Sequence, residues 1–266
     1  MKIIPITSDQ LSGISPPEFI ELLGFPRSGK SHAIIDLAHA WKRIYPNNSI
    51  YTIDTENGLI KEWKKRPIDN FQLWPCSNMD EVLFSFRDIL ERNIQKDDWI
   101  VIESMGRIWG FAQDLGYSEI ANMTKSEYLA MRRDKIASGE KALPVTPHPE
   151  QFWQVTKNAH NREFMDILVT LKCNKLLTTT LKLSGVERSD SKIKESRARK
   201  DARVSIALDM GIDGEPRNPY YPDTILWMYR EDNGSYSCKV LGDRSWDSPD
   251  SNITFTVSSF WYDFIT

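Results

Sequence analysis

The stretch Gly24-Phe25-Pro26-Arg27-Ser28-Gly29-Lys30-Ser31 constrains this chain more than any other. A short apolar run, Phe19 to Leu23, enters it, and Ser31 to Tyr45 leaves it with Ile34, Ile35, Leu37, Ala38 and Trp41 at helical spacing. The setting is therefore strand, loop, helix. A ring of backbone N–H groups at the start of a helix, whose dipole favours anions, holds a phosphate chain well. Gly24 and Gly29 let the backbone bend tightly, and Phe25, Pro26, Arg27 and Ser28 span the turn between them. Lys30 is placed to reach the β- and γ-phosphates, and the Ser31 hydroxyl to ligate Mg²⁺. The motif thus predicts a nucleoside triphosphate with Mg²⁺, ATP in the first instance, since the loop alone does not separate ATP from GTP.

Pro46-Asn47-Asn48 ends the helix, and Ser49 to Asp54 is a β-branched and aromatic run suited to a second strand. Phe71 to Trp74 reads as a third strand, followed by a helix from about Met79 to Ile94. Trp99-Ile100-Val101-Ile102 and Lys175 to Leu181 are near-continuous apolar runs of the kind buried on both faces of a parallel sheet, and a helix from about Glu150 to Leu171 precedes the second. This alternation predicts an α/β fold, a mostly parallel sheet flanked by helices. At the end, Asp223 to Arg230 and Ser235 to Leu241 flank Asn233-Gly234, which predicts a C-terminal antiparallel β-hairpin over about 223–241. Two stretches stand outside this scheme, an insertion at about 114–149 with a short charged helix near Lys125 to Ile136, and a polar stretch at about 184–204.

A chain of 266 residues is long enough for a full α/β core, and we expect one domain over 1–266. The formal charge of −3 excludes a global basic field, so any nucleic-acid binding must come from a local patch. Cys76, Cys173 and Cys238 form neither a C-x-x-C pair nor a spacing with His, which argues against a disulfide framework or a zinc site and for a reducing, cytoplasmic setting. No apolar stretch approaches the ~18 residues of a membrane span.

Triphosphate hydrolysis needs an acid for the metal shell and a group that orients the attacking water. Both should stand at strand ends beside the loop. Glu103 directly follows Trp99 to Ile102, and Glu56 follows the second strand in Asp54-Thr55-Glu56. The alternative for each, a solvated carboxylate at a strand end, is weakened by their shared position beside Lys30.

The loop-bearing strand, Asp54-x-Glu56, the strand ending in Glu103-Ser104, the hydroxyl run Thr178-Thr179-Thr180 and the late hairpin together resemble RecA-like P-loop ATPases. The nearest likeness is to the compact bacteriophage RecA-like ATPases associated with recombination and single-strand annealing. It spans roughly residues 18 to 246, and only the phosphate loop is specific by itself. The resemblance implies that Glu56 activates water, that Glu103 stands where the family has its metal-associated Asp, and that a polar sensor falls on Thr178 to Thr180, with Thr180 nearest the nucleotide. Because Glu is one methylene longer than Asp, Asp54 is a second candidate for the metal. The resemblance further implies a cation supplied by the neighbouring subunit of a ring or filament, for which Lys239 and Arg244 are the candidates, so that the active form is a homo-oligomer.

Between Glu187 and Arg203 seven basic residues stand against four acids, from Arg188 onward to Arg203. Where RecA-like proteins carry a DNA-contacting loop, this stretch would neutralise phosphates of single-stranded DNA. Arg132, Arg133 and Lys135 are candidates to line the same channel, with Tyr117 and Tyr128 as stacking platforms or as core. The leading expectation is therefore a Mg²⁺-dependent ATPase of DNA recombination, annealing or replication. A small-molecule or nucleotide kinase with residues 187–203 as its lid, a viral DNA-packaging motor and a nucleotide-gated structural protein are the alternatives.

Overall fold

The computed structural model of the protein describes residues 17–183, 210–243, 254–256 and 261. β1 (Phe19–Gly24), β2 (Ile50–Asp54) and β4 (Trp99–Glu103) are buried at every position, which is why their sequences run apolar without alternation. β3 (Phe71–Pro75) is only half-buried and lies at the sheet edge. Between these strands run α1 (Lys30–Ile44), α2 (Gly58–Lys65) and α3 (Met79–Leu90). Lys42 and Arg43 in the last turn of α1 complement the helix dipole, and the Asn78 side chain caps α3 by accepting from Glu81 N at 2.9 Å.

The second half supplies β5 (Asn174–Leu183), β6 (Met210–Asp213), β7 (Thr224–Arg230), β8 (Tyr236–Asp243) and β9 (Thr254–Thr256). The sheet order is β3-β2-β4-β5-β1-β7-β8-β9, with β6 antiparallel on β5. From β3 through β7 every pairing is parallel, and β7 turns into β8 as an antiparallel hairpin whose Gly234 has φ 88°. The fold is thus the expected mostly parallel α/β sheet with a C-terminal antiparallel hairpin. The apolar residues of α1 and α2 pack on one face with Ile20, Leu22, Ile50 and Val101. On the other face α3 joins α4 (Met105–Ala121) and α7 (Asp166–Thr170) over Ile53, Ile100, Ile102 and Leu177. Because the chain leaves β1 onto one face and β4 onto the other, a crevice opens at the carboxyl ends of these strands, where ligands of open α/β sheets bind.

Three expectations are corrected. The insertion does not begin at 114: α4 is one continuous helix from Met105 to Ala121, and α5 (Lys125–Ala137), opened by a Thr124–Glu127 capping box, follows it. Tyr117 and Tyr128 are buried against Phe152 in a small core of their own, with ring centroids 4.9 to 5.4 Å apart along Phe152–Tyr117–Tyr128, so they offer no stacking platform. The helix expected over 150–171 is α6 (Pro149–Lys157), an eight-residue π-helical segment (Asn158–Met165) and α7. The buried pairs Ala159-His160 and Phe164-Met165 are five residues apart, a spacing that an α-helix turns away from the core and a π turn keeps on it.

The period of two along β1 sends Ile20 and Leu22 toward α1 and Glu21 to the opposite face. There Glu21 is fully buried; its Oε1 accepts from Thr179 Oγ1 at 2.7 Å, and Oε2 meets no partner among the described residues. Burial pushes this carboxyl from 4.5 to about 7, against the smaller opposing effect of the Thr179 hydroxyl. A folded-state value above the unfolded one means that stability is fully present below pH ~4.5 and is lost as pH rises through ~7, by roughly 3 kcal/mol if the whole shift is realised. Urea unfolding of Glu21→Gln should therefore show a flatter stability profile between pH 5 and 8 than the parent protein. Parallel profiles would contradict this.

Candidate functional site

β1 delivers Gly24 to the crevice, and the loop turns there, with Ser28 N donating to Phe25 O at 3.1 Å and with Pro26 and Arg27 exposed. Arg27 and Gly29 take left-handed φ values of 68° and 95°, the alternation that points successive N–H groups into one concavity. A Cβ on Gly24 would stand 2.2 Å from Ser28 Oγ and 2.7 Å from the Met228 carbonyl oxygen; one on Gly29 would stand 2.5 Å from the Tyr236 ring. A side chain at either position must displace a neighbour, Ser28 or the Met228 carbonyl at Gly24 and Tyr236 at Gly29. Lys30 is 8% exposed, and its Nζ donates to Gly24 O at 2.8 Å and Phe25 O at 3.1 Å, so the ammonium lies across the loop with only carbonyl partners. Burial lowers its pKa, while Glu103 and Glu56 act to raise it.

The two-residue period also decides which strand-end groups face this loop. Trp99 and Val101, Ile50, and Leu176 all belong to the α1-side core, so Glu103, Asp54, Thr178 and Thr180 point to the same side. Register then aligns Asp54 with Glu103 and Thr180 with Gly24. Ser31 Oγ donates to Glu103 Oε1 at 2.7 Å, whereas Glu103 Oε2 is buried without a partner among the described residues. Desolvation raises this carboxyl to about 7; the Ser31 hydrogen bond opposes the rise, and Asp54 and Glu56 reinforce it. Lys30 and Ser31, Glu103 and Thr180 are thus brought together. Thr178 Oγ1 is likewise buried and unpartnered.

Asp54 is engaged differently. Its Oδ1 accepts from Glu56 N and Asn57 N, both at 2.9 Å, and its Oδ2 from Leu59 N at 3.2 Å. Its oxygens face the backbone of the turn that opens α2, so Asp54 shapes the segment carrying Glu56. Glu56 itself is exposed, and its Oε1 accepts from Ser104 Oγ at 2.8 Å. Thr55 Oγ1 donates to Glu103 O at 3.0 Å and accepts from Ser104 N at 2.9 Å, stitching the ends of β2 and β4 together. Sequence reasoning gave no task to Thr55 or Ser104. Their signal was present: each directly follows a strand-end acid, Asp54 and Glu103 respectively.

The hairpin meets the loop through a residue that the sequence did not single out. Tyr236 packs on Gly29, and its ring lies 5.5 Å from that of His32. His32 and Asp36 on α1 in turn hold Arg66, just past α2, which bonds Asp36 and donates to the His32 carbonyl at 3.3 Å. Lys239 pairs with Trp227, and the flanking Cys238 and Val240 belong to the α1-side core, so Lys239 points to the sheet face opposite α1. Arg244 lies outside the described residues, as does the whole basic stretch Arg188 to Arg203.

No protein-family model matches the sequence. No curated protein matches it. Among solved structures the chain is similar to an ATPase domain, with a TM-score of 0.44 and 12% identity over 90% of this chain and 81% of that one. Among the described residues no three His, Cys, Asp or Glu side chains converge as a ready-made metal cage, and no helix is long and apolar enough to cross a membrane. A Mg²⁺ ion bound by one hydroxyl, one carboxylate, phosphates and water requires no such cage. The donors at hand, Ser31 Oγ and the unpartnered Glu103 Oε2, fit that shell.

The crowding at Gly24 gives a direct check. Gly24→Ala must displace Ser28 or the Met228 carbonyl, and should weaken Mg²⁺–nucleotide binding at least ~10-fold by calorimetry while the far-ultraviolet circular dichroism stays that of the parent. Unchanged affinity would mean that the loop does not hold the ligand.

Proposed function

We propose that the protein is a Mg²⁺-dependent, ATP-binding and ATP-hydrolysing RecA-like ATPase, with residues 1–266 forming one domain, that works on DNA as a cytoplasmic homo-oligomer. The observation that carries the reading is the pairing of Ser31 with Glu103 at 2.7 Å beneath a phosphate loop crossed by Lys30. Lys30 would leave its two carbonyl partners for the β- and γ-phosphate oxygens, exchanging neutral acceptors for charged ones. Ser31 and Glu103 would hold the Mg²⁺, which would supply charge neutralisation for the phosphates. Glu56, at the rim of the site and fixed by Ser104, is the general base for water. Thr180, level with Gly24, is placed to touch the γ-phosphate side.

The oligomer and the DNA rest on other features. Lys239, on the sheet face opposite α1, is the proposed cation for a neighbouring subunit, and Arg244 is its companion candidate. The basic residues Arg188 to Arg203 are the proposed contact for single-stranded DNA.

The test joins turnover to mass. ATP hydrolysis measured with and without single-stranded DNA, alongside the mass of the protein in ATP and Mg²⁺, should show DNA-stimulated turnover by an assembly larger than a monomer. Glu56→Gln should lower turnover by ~10²–10⁴-fold while nucleotide affinity is kept, and Lys239→Ala should slow turnover in the assembly. A persistent monomer indifferent to DNA would remove the oligomeric DNA reading; a phosphorylated acceptor in place of free phosphate would make the protein a kinase.

A further inference from the structure

Glu56 is exposed and has a long side chain with three rotatable bonds, so nothing in its own backbone position fixes where its carboxylate points. A general base must nevertheless hold one oxygen within hydrogen-bond reach of the water it deprotonates, and misplacement by about 1 Å costs on the order of 10²-fold in rate. The orienting contact comes from the neighbouring strand. Ser104 Oγ donates to Glu56 Oε1 at 2.8 Å, which leaves Oε2 to the solvent side of the site.

Ser104 is itself held on both sides. Its N–H donates to Thr55 Oγ1 at 2.9 Å, and the Thr55 hydroxyl donates its only proton to the Glu103 carbonyl at 3.0 Å. With the Ser104 backbone fixed in this way, the acceptor its hydroxyl meets among the described residues is the Glu56 carboxylate. The side chain is 2% exposed, so water competes little for the contact. We infer that Ser104 is a positioning residue for the hydrolytic step, which sets the Glu56 carboxylate relative to the Ser31–Glu103 pair through the Thr55 cross-link between β2 and β4. The inference rests on the proposed role of Glu56 as base. A bland reading exists in which Ser104 only satisfies hydrogen bonds at the start of α4; it predicts loss of stability and no selective effect on turnover.

The experiment is a double-mutant cycle in full-length protein with saturating ATP, Mg²⁺ and single-stranded DNA. Ser104→Ala should lower kcat on the order of 10- to 100-fold, with KM for ATP, nucleotide affinity and thermal midpoint close to those of the parent. Ser104→Thr, which keeps a hydroxyl, should recover most of that loss. In a Glu56→Gln background, Ser104→Ala should cost no more than about twofold further, because the group it positions is already gone. In binding measurements with ADP and aluminium fluoride, Ser104→Ala should weaken the transition-state mimic and leave ATP itself unaffected. An unchanged kcat in Ser104→Ala, or an equal loss in both backgrounds, would overturn the positioning role while leaving Glu56 as base. An unchanged kcat in Glu56→Gln, or a parent protein that neither hydrolyses ATP nor binds the mimic, would instead overturn the site reading, and the inference with it.

Discussion

Glu103 can accept the hydrogen bond of Ser31 only because β4 and β5 are buried on both faces and locked in register with β1. The sheet has no solvated side on which a polar residue could rest, so each strand-end acid either points into a helix-covered face or ends the strand. On the α1 side the two-residue period stacks Ile50 and Thr52 below Asp54, Trp99 and Val101 below Glu103, and Leu22 below Gly24. The apolar lower rungs set the register, and the upper rung inherits it. A one-residue slip in β4 would turn Glu103 toward α4 and bring Ile102 to Ser31, exchanging every apolar contact of the strand at once. The chemistry at the top of the sheet is thus held by packing well beneath it.

That rung is electrostatically costly by itself. Asp54 and Glu56 both act on Glu103, Lys30 is the ammonium that offsets them there, and Asp54 and Glu103 are buried. Asp54 offsets its burial with three backbone N–H donors, whereas Glu103 has a single hydroxyl donor and an oxygen with none. Lys30 spends its protons on carbonyls and pairs with no carboxylate among the described residues. A divalent cation beside Glu103 and anionic oxygens beside Lys30 would satisfy both at once, and on the proposed reading Mg²⁺ and the triphosphate do so.

The parts of the fold that were legible in the sequence are those where local pattern and burial agree. β4 reads as four apolar residues because both its faces are covered, and the Asn233-Gly234 turn names its hairpin through the positive φ at Gly234. α4 was hidden because Gly106, Gly110 and Gly116 dilute the helical signal; two of them are there for close approach, Gly106 to the Asp213 carbonyl and Gly116 to Thr156 and Phe152. The π segment was hidden because a five-residue step in a buried stripe looks like noise to a search at 3.6. In the site, the loop could be read from its motif, since backbone conformation there demands particular residues. The jobs of Thr55 and Ser104 could not, since a hydroxyl after a strand-end acid acquires meaning only when two strands distant in sequence are laid side by side.

The same lateral pairing bears on the Glu at 103 and on Asp54 as a second candidate for the metal. The added methylene extends the carboxylate by ~1.5 Å, and in this site that length is what closes the distance to Ser31 Oγ directly at 2.7 Å. With Glu103 making the contact to Ser31, the Asp54 oxygens accept Glu56 N, Asn57 N and Leu59 N instead. Those bonds fold the turn that presents Glu56 to Ser104. A longer side chain on one strand and a fully engaged shorter one on its neighbour therefore form a single arrangement, in which Glu103 reaches Ser31 while Asp54 holds the turn that carries Glu56.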